Sequence, residues 1–180
     1  MDTIKKYKYK LIKNFFSKKE LEILQPYCVL RLDEKWQTDP PTYTGISDVP
    51  YFYDDALMNY FHEKKRPLVE KHARLNLFRT YSFWRFYIYG SVLGTHMDRP
   101  SCEISVTACI KQSKIWPIHM NNNWIEMKEG DAVIYLGCEV PHGRRIFKHD
   151  HNAQVFLHYV DQNGPFAHHQ YDQMRKDNLA

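Results

Sequence analysis

Glu103-Ile104-Ser105-Val106-Thr107-Ala108-Cys109-Ile110-Lys111 alternates without a break, Ile104, Val106, Ala108 and Ile110 on one side and Glu103, Ser105, Thr107 and Cys109 on the other. Successive side chains of an extended backbone leave opposite faces, so this period of two predicts a strand with one apolar face. The chain on either side continues the pattern. Downstream, Trp116 to Met120 and Trp124 to Met127 read as short strands about the turn Asn121-Asn122-Asn123. Gly130-Asp131 turns the chain into Ala132-Val133-Ile134-Tyr135-Leu136, and Ala153 to Val160 is a further apolar strand. Upstream, Arg79 to Tyr89 is dense in Tyr, Phe and Trp, which suit a half-buried pleated surface, and Gly90 closes the run.

The front of the chain has a different period. Ser17-Lys18-Lys19-Glu20 is a capping box, and Leu21, Ile23 and Leu24 follow at helical spacing. Asp54 or Asp55 caps a second helix from Ala56 to about Lys65, and Pro67 marks either a new first turn or a kink before helix continues towards His72. Between them, Arg31 to Tyr53 carries Pro40, Pro41, Gly45 and Pro50 and reads as an irregular loop able to lie over a site and shape selectivity. Roughly six to eight short strands after a helical start predict a mainly β fold with flanking α, a double-layered β-barrel or jelly roll. One domain over 1–180 is expected, with a helical part about 1–75, the β core about 76–162 and a polar tail 163–180.

Composition agrees. A chain of 180 residues with 43% hydrophobic content is long enough to bury one core. The aromatic share of 15%, with 13 Tyr and 10 Phe, favours strands and a lined cavity over a helical bundle. The net charge of +4 permits an acidic partner without demanding nucleic acid. No apolar run approaches the about 18 residues of a membrane span. The N-terminal MDTIKKYKYKLIKNFF has no apolar signal region, so a cytoplasmic location is expected, that of the host cell if the protein is phage-encoded. Cys28, Cys102, Cys109 and Cys138 form no CxxC pair, which speaks against a zinc ribbon and for free thiols.

The chemistry gathers around His96-Met97-Asp98. On a strand, residues i and i+2 leave the same face, so the imidazole and the carboxylate can grip one ion. A third ligand must come from a returning strand, and His142, beyond Ala132 to Leu136, meets that need. Two imidazoles and one carboxylate with open positions form the facial arrangement of iron(II) oxygenases.

Several runs then resemble one family: Tyr81-Ser82-Phe83-Trp84-Arg85-Phe86-Tyr87-Ile88-Tyr89-Gly90, His96-Met97-Asp98-Arg99-Pro100, and Cys102-Glu103-Ile104-Ser105. Gly130-Asp131-Ala132-Val133-Ile134-Tyr135, Pro141-His142-Gly143-Arg144 and Gln154-Val155-Phe156-Leu157-His158-Tyr159-Val160 continue the series. They resemble iron(II)/2-oxoglutarate oxygenases of the prolyl-hydroxylase-like branch over about residues 80–160, most like the small members of phages and marine bacteria. The resemblance implies a double-stranded β-helix, Fe(II), 2-oxoglutarate and O2 as cofactor and cosubstrates, succinate and carbon dioxide as coproducts, and a peptidyl (prolyl or other amino-acid side chain) or small-molecule substrate.

It also implies roles. His96, Asp98 and His142 match the metal ligands, and the family's Tyr-x-x-Gly falls on Tyr87 and Gly90, so Tyr87 is expected to bind the cosubstrate carboxylate. The basic residue that the branch carries about ten positions after the second histidine is missing, since Lys148, His149 and His151 all precede Ala153 to Val160. Arg144, two past His142 and so on the same strand face, is the expected substitute, with Arg145 and Arg85 as rivals. Arg99 is expected either to orient Asp98 or to hold an acidic substrate group. Trp84, Trp116 and Trp124 suit either the core or the cavity mouth.

Two other readings stay open. The same ligands can hold zinc or nickel in a cupin-like protein without oxygenase turnover. Lys5, Lys6, Lys8 and Lys10 alternate with Tyr7 and Tyr9, a pattern that fits single-stranded nucleic acid or, more simply, a protected edge strand.

Overall fold

The computed structural model describes residues 3–34, 36–38, 45 and 49–172. Among the described residues, three α-helices, α1 (Thr3–Tyr7), α2 (Lys18–Arg31) and α3 (Ala56–Ala73), accompany eleven strands. The strands are β1 (Tyr9–Ile12), β2 (Gln37–Thr38), β3 (Pro50–Tyr53), β4 (Leu77–Ile88), β5 (Leu93–His96), β6 (Ile104–Gln112), β7 (Ile118–Met120), β8 (Asn123–Ile125), β9 (Ala132–Leu136), β10 (His142–Arg144) and β11 (His151–Asp161). They form a seven-stranded sheet in the order β1-β9-β6-β11-β4-β3-β2 and a four-stranded sheet in the order β5-β10-β7-β8, a double-stranded β-helix.

Alternation along β11 shows how the sequence builds the two layers. Ala153, Val155, Leu157 and Tyr159 join the core cluster that also holds Leu24 and Cys28 of α2 and Met58, Phe61 and Val69 of α3. The residues between them look the other way: Phe156 packs with Tyr87, Trp116 and Phe147 inside the barrel, and His158 lines its cavity. Both faces of β11 and β6 are therefore buried, although Ser105, Thr107, Asn152 and Gln154 are polar. That face forms the chemical interior.

Both helix starts follow their sequence signals. The Ser17 side chain accepts from the Glu20 N–H and the Glu20 side chain reaches back to the Ser17 N–H. Asp55 caps α3, and Pro67 stays inside one continuous helix. The front half is not purely helical, however. The loop expected over Arg31 to Tyr53 contributes β2 and β3, and β3 pairs with β4. Three aromatic stacks secure that pairing, Tyr51 on Phe83, Phe52 on Trp84 and Tyr53 on Tyr81, with ring centroids 5.0, 4.4 and 4.9 Å apart. Flanking prolines concealed the strand, because Pro50 is tolerated at a strand start. Residues 35, 39–44 and 46–48 of that loop lie outside the described residues, as does the tail from 173.

The lysine-rich front forms β1 at the edge of the large sheet. Lys8 pairs with Glu139 at 2.7 Å, and Lys10 Nζ meets His72 Nδ1 at 3.1 Å. These contacts match the protected-edge reading. No helix is long and apolar enough to cross a membrane among the described residues, and the four cysteines are free thiols.

Candidate metal centre

β5 and β10 pair antiparallel with His96 directly opposite His142. Cross-strand partners project together, and the two imidazole centroids lie 4.4 Å apart. The strand ends at His96, so Asp98 does not reach the site as a strand residue. Its backbone N–H is instead held by the Gly137 carbonyl at 2.9 Å, which turns the carboxylate inward from a loop. One oxygen, Oδ1, lies 3.6 Å from His96 Nε2 and 3.5 Å from His142 Nε2. His96, Asp98 and His142 thus form a group able to surround one ion, all ligand atoms within 4.8 Å of one another.

The protons are arranged for ligation. His96 Nδ1 lies 2.8 Å from the Gly94 carbonyl and His142 Nδ1 lies 2.9 Å from the Val140 carbonyl. A carbonyl only accepts, so each Nδ1 donates and each Nε2 keeps its lone pair for an ion. Burial opposes the Asp98 charge, but His142 and His96 outweigh it and hold the carboxyl well below the usual range. Asp98 in turn raises the His96 imidazole.

The second oxygen of Asp98 is bound from behind. Ser105 Oγ donates to Oδ2 at 2.9 Å, and His158 Nδ1 lies 2.8 Å from the same hydroxyl. Burial pushes His158 down to about 4, so it is a neutral imidazole whose Nδ1–H donates to Ser105. The serine proton also has the Cys102 carbonyl within 2.9 Å, but a carboxylate is the stronger acceptor. Gly137 makes room: a Cβ there would stand 2.6 Å from Asp98 Oδ2 and 2.1 Å from the Cys102 oxygen. Sequence reading missed Ser105, Gly137 and His158. The polar positions of the β6 and β11 inner faces were the available signal.

Asp98, Cys102 and His158 also approach one another within 4.8 Å. Burial pushes the Cys102 thiol up to about 12, and metals bind thiolates, so this second group is a poor ion site.

The ligands open onto a cavity of about 620 Å³ that also exposes Tyr81, Arg85, Tyr87, Arg99 and His158. Arg144 is 3% exposed, close to Tyr87 and Tyr135, which line that cavity. Its Nη1 donates to the Trp116 carbonyl, while Nε and Nη2 have no hydrogen-bond partner among the described residues. Burial pushes this guanidinium down to about 10, with Tyr87, Cys109 and Tyr135 near enough to act on its charge. Tyr87 and Arg144 both pack on the Trp116 ring, each 4.9 Å from its centroid.

The rival arginines sit differently. Arg145 is turned to the surface over the Trp124 ring at 4.7 Å. Arg85 is in the cavity wall, its guanidinium over Phe83 at 5.0 Å and Tyr51 at 5.6 Å. Asn152 and Gln154 of β11 carry no charge and bond to each other at 2.7 Å. Arg99 gives both terminal nitrogens to the buried Asp172 at 2.9 and 2.7 Å, and Tyr53 donates to the same carboxylate. Its charge is thus already committed to a tie with the C-terminal segment. Of the tryptophans, Trp84 and Trp116 are buried and Trp124 is 46% exposed.

No family model matches the chain, and no curated protein matches it. Solved structures do match. A prolyl-4-hydroxylase of Pseudomonas putida aligns with TM-score 0.69 and 14% identity over 87% of this chain and 95% of that one. A 2OG-Fe(II) oxygenase family protein of Burkholderia pseudomallei aligns with TM-score 0.68 and 14% identity over 90% and 89%. The alpha-ketoglutarate-dependent epimerase SnoN of nogalamycin biosynthesis aligns with TM-score 0.75 and 10% identity over 88% and 80%. At such identities these likenesses establish a shared fold across nearly the whole described chain.

Proposed function

We propose that the protein is an iron(II)- and 2-oxoglutarate-dependent dioxygenase that hydroxylates a prolyl or other amino-acid side chain. The carrying observation is one oxygen of Asp98 facing the Nε2 atoms of His96 and His142 at 3.6 and 3.5 Å. Two imidazoles and one carboxylate suit ferrous iron and leave positions for a chelating keto acid and dioxygen. Zinc or nickel would satisfy the same three donors, so the ligands alone do not select the reaction. Arg144 does.

A buried guanidinium with two unpartnered nitrogens costs several kcal/mol on the order set by ion desolvation, unless an anion joins it. The Nε and Nη2 atoms of Arg144 fit the distal carboxylate of 2-oxoglutarate, which a guanidinium grips at two points. Tyr87, on the same Trp116 ring, would supply a hydroxyl donor. The prolyl-hydroxylase and 2OG-Fe(II) oxygenase neighbours support this reading through the shared barrel.

Bound iron, with 2-oxoglutarate and O2, supplies the oxidising power that inserts oxygen into a substrate C–H bond, releasing succinate and carbon dioxide. The chain's own residues prepare for it. His96 and His142 present lone pairs because the Gly94 and Val140 carbonyls hold their Nδ1 protons. Ser105, its own hydroxyl held by His158, binds Asp98 Oδ2 and so aims Oδ1 at the metal position. Trp116, Tyr135 and Phe147, all buried, keep water from the Arg144 end. Met97, 59% exposed between His96 and Asp98, lines the same cavity and would meet a substrate chain there.

Succinate release tests the reading. Protein supplied with iron(II), 2-oxoglutarate and oxygen is expected to form succinate, faster with proline-containing peptides present. Equal succinate from wild type and His142→Ala would remove the proposal.

A further inference from the structure

Away from the metal ligands, a cleft of about 400 Å³ opens between the β7–β8 hairpin and residues 145–149. Three exposed large apolar side chains gather there: Ile115 at 38%, Trp124 at 46% and Ile146 at 59%. Apolar surface concentrated in one concavity marks an interaction site more often than scattered exposure does. The floor is fixed in advance. Trp116 donates its indole N–H to the Arg145 carbonyl at 2.9 Å and packs against Phe147 at 5.0 Å. A preformed cleft spares a ligand the cost of ordering it.

The charges are one-sided. Arg145 and Lys148 line the cleft, and no carboxylate does among the described residues. Trp124 stands on β8, the edge strand of the four-stranded sheet, where an incoming extended segment can add as a neighbour. The occupant must then be anionic, extended and equipped with an apolar side chain. A nucleic-acid base fits less well. Trp116 is buried, and Trp124 has the Arg145 guanidinium over its ring at 4.7 Å, so no broad aromatic face is open for stacking.

We propose that this cleft docks an extended acidic segment of a partner polypeptide, inserting one large apolar side chain beside Trp124 while its carboxylates meet Arg145 and Lys148. The site is separate from the metal ligands and stands whether or not the barrel holds iron.

The test pans a displayed library of random dodecapeptides against the full chain and measures the selected peptides, fluorescein-labelled, by anisotropy. Asp and Glu flanking Leu, Phe or Trp are expected among the selected sequences, with binding that weakens as salt rises. Trp124→Ala and the double change Arg145→Glu, Lys148→Glu should each weaken binding about tenfold or more, with unchanged circular dichroism. Replacing the peptide's acids by lysines should restore binding to the charge-reversed variant. Selected peptides without acidic enrichment, or indifferent to both variants, would overturn the proposal. So would oligo-dT binding there with equal strength, or self-association of the chain that Trp124→Ala abolishes.

Discussion

Ser105 Oγ lies 2.9 Å from Oδ2 of Asp98, which leaves only Oδ1 of that carboxylate facing the two imidazoles. A ligand held by its second oxygen cannot rotate away when the ion leaves. Ser105→Ala is therefore expected to weaken Co(II) or Mn(II) binding roughly 10- to 100-fold, measured by titration, with little change in circular dichroism. Unchanged affinity would mean that the serine only fills space.

Gly137→Ala attacks the same carboxylate from the other side. Its Cβ would stand 2.6 Å from Asp98 Oδ2 and 2.1 Å from the Cys102 oxygen, and backbone there cannot simply give way. Metal affinity should fall at least as far as in Ser105→Ala. A drop in thermal stability is also expected, because Gly137 N–H bonds to the Glu103 carbonyl at 2.9 Å.

Arg144→Met separates function from stability. Replacing a buried uncompensated charge with an apolar side chain of similar length is neutral or stabilising, by up to about 1–4 kcal/mol. The variant's Tm without ligand should equal or exceed that of wild type. The rise in Tm that 2-oxoglutarate gives the metal-loaded wild type should vanish. A retained rise would move the keto-acid clamp to Arg85.

Arg99→Ala removes two charge-assisted hydrogen bonds from the buried Asp172. The arginine is 41% exposed on its side chain, so the loss is put at about 2 kcal/mol, below that of a fully buried pair. Urea unfolding measures it. An arginine serving only a substrate would leave unfolding unchanged.

Acid should weaken the helical layer through Glu20. Burial opposes its charge, but Lys65, the Ser17 N–H and Lys64 outweigh that and lower it from 4.5 to about 2. A depressed carboxylate stabilises the fold above its unfolded value and loses that contribution as pH falls towards the folded one. Between pH 6 and pH 3 about 2 kcal/mol should disappear from this residue. Glu20→Gln should show a correspondingly smaller difference in urea midpoint.

Much of this was legible in the sequence. The alternation of residues 103–111, the capping box at Ser17 and the Asp55 cap are local signals, and each appears where its pattern places it. Strand β3 was not legible, because aromatic stacking on β4 decides it and that partner lies far along the chain. The three proposed ligands could be named from strand context and the family resemblance, but the arrangement of Asp98 could not. It depends on a carbonyl from Gly137 and a hydroxyl from Ser105, contacts that only the closed barrel brings together. The same holds for Arg99. A turn arginine gives no sign in sequence that Asp172 will cover it.

Anaerobic titration with iron(II) and 2-oxoglutarate tests the central claim most directly, through the weak visible charge-transfer band of a chelated keto acid. Wild type should develop the band with one equivalent of iron, and His142→Ala should not. Iron bound by wild type with no band on adding 2-oxoglutarate would contradict the account.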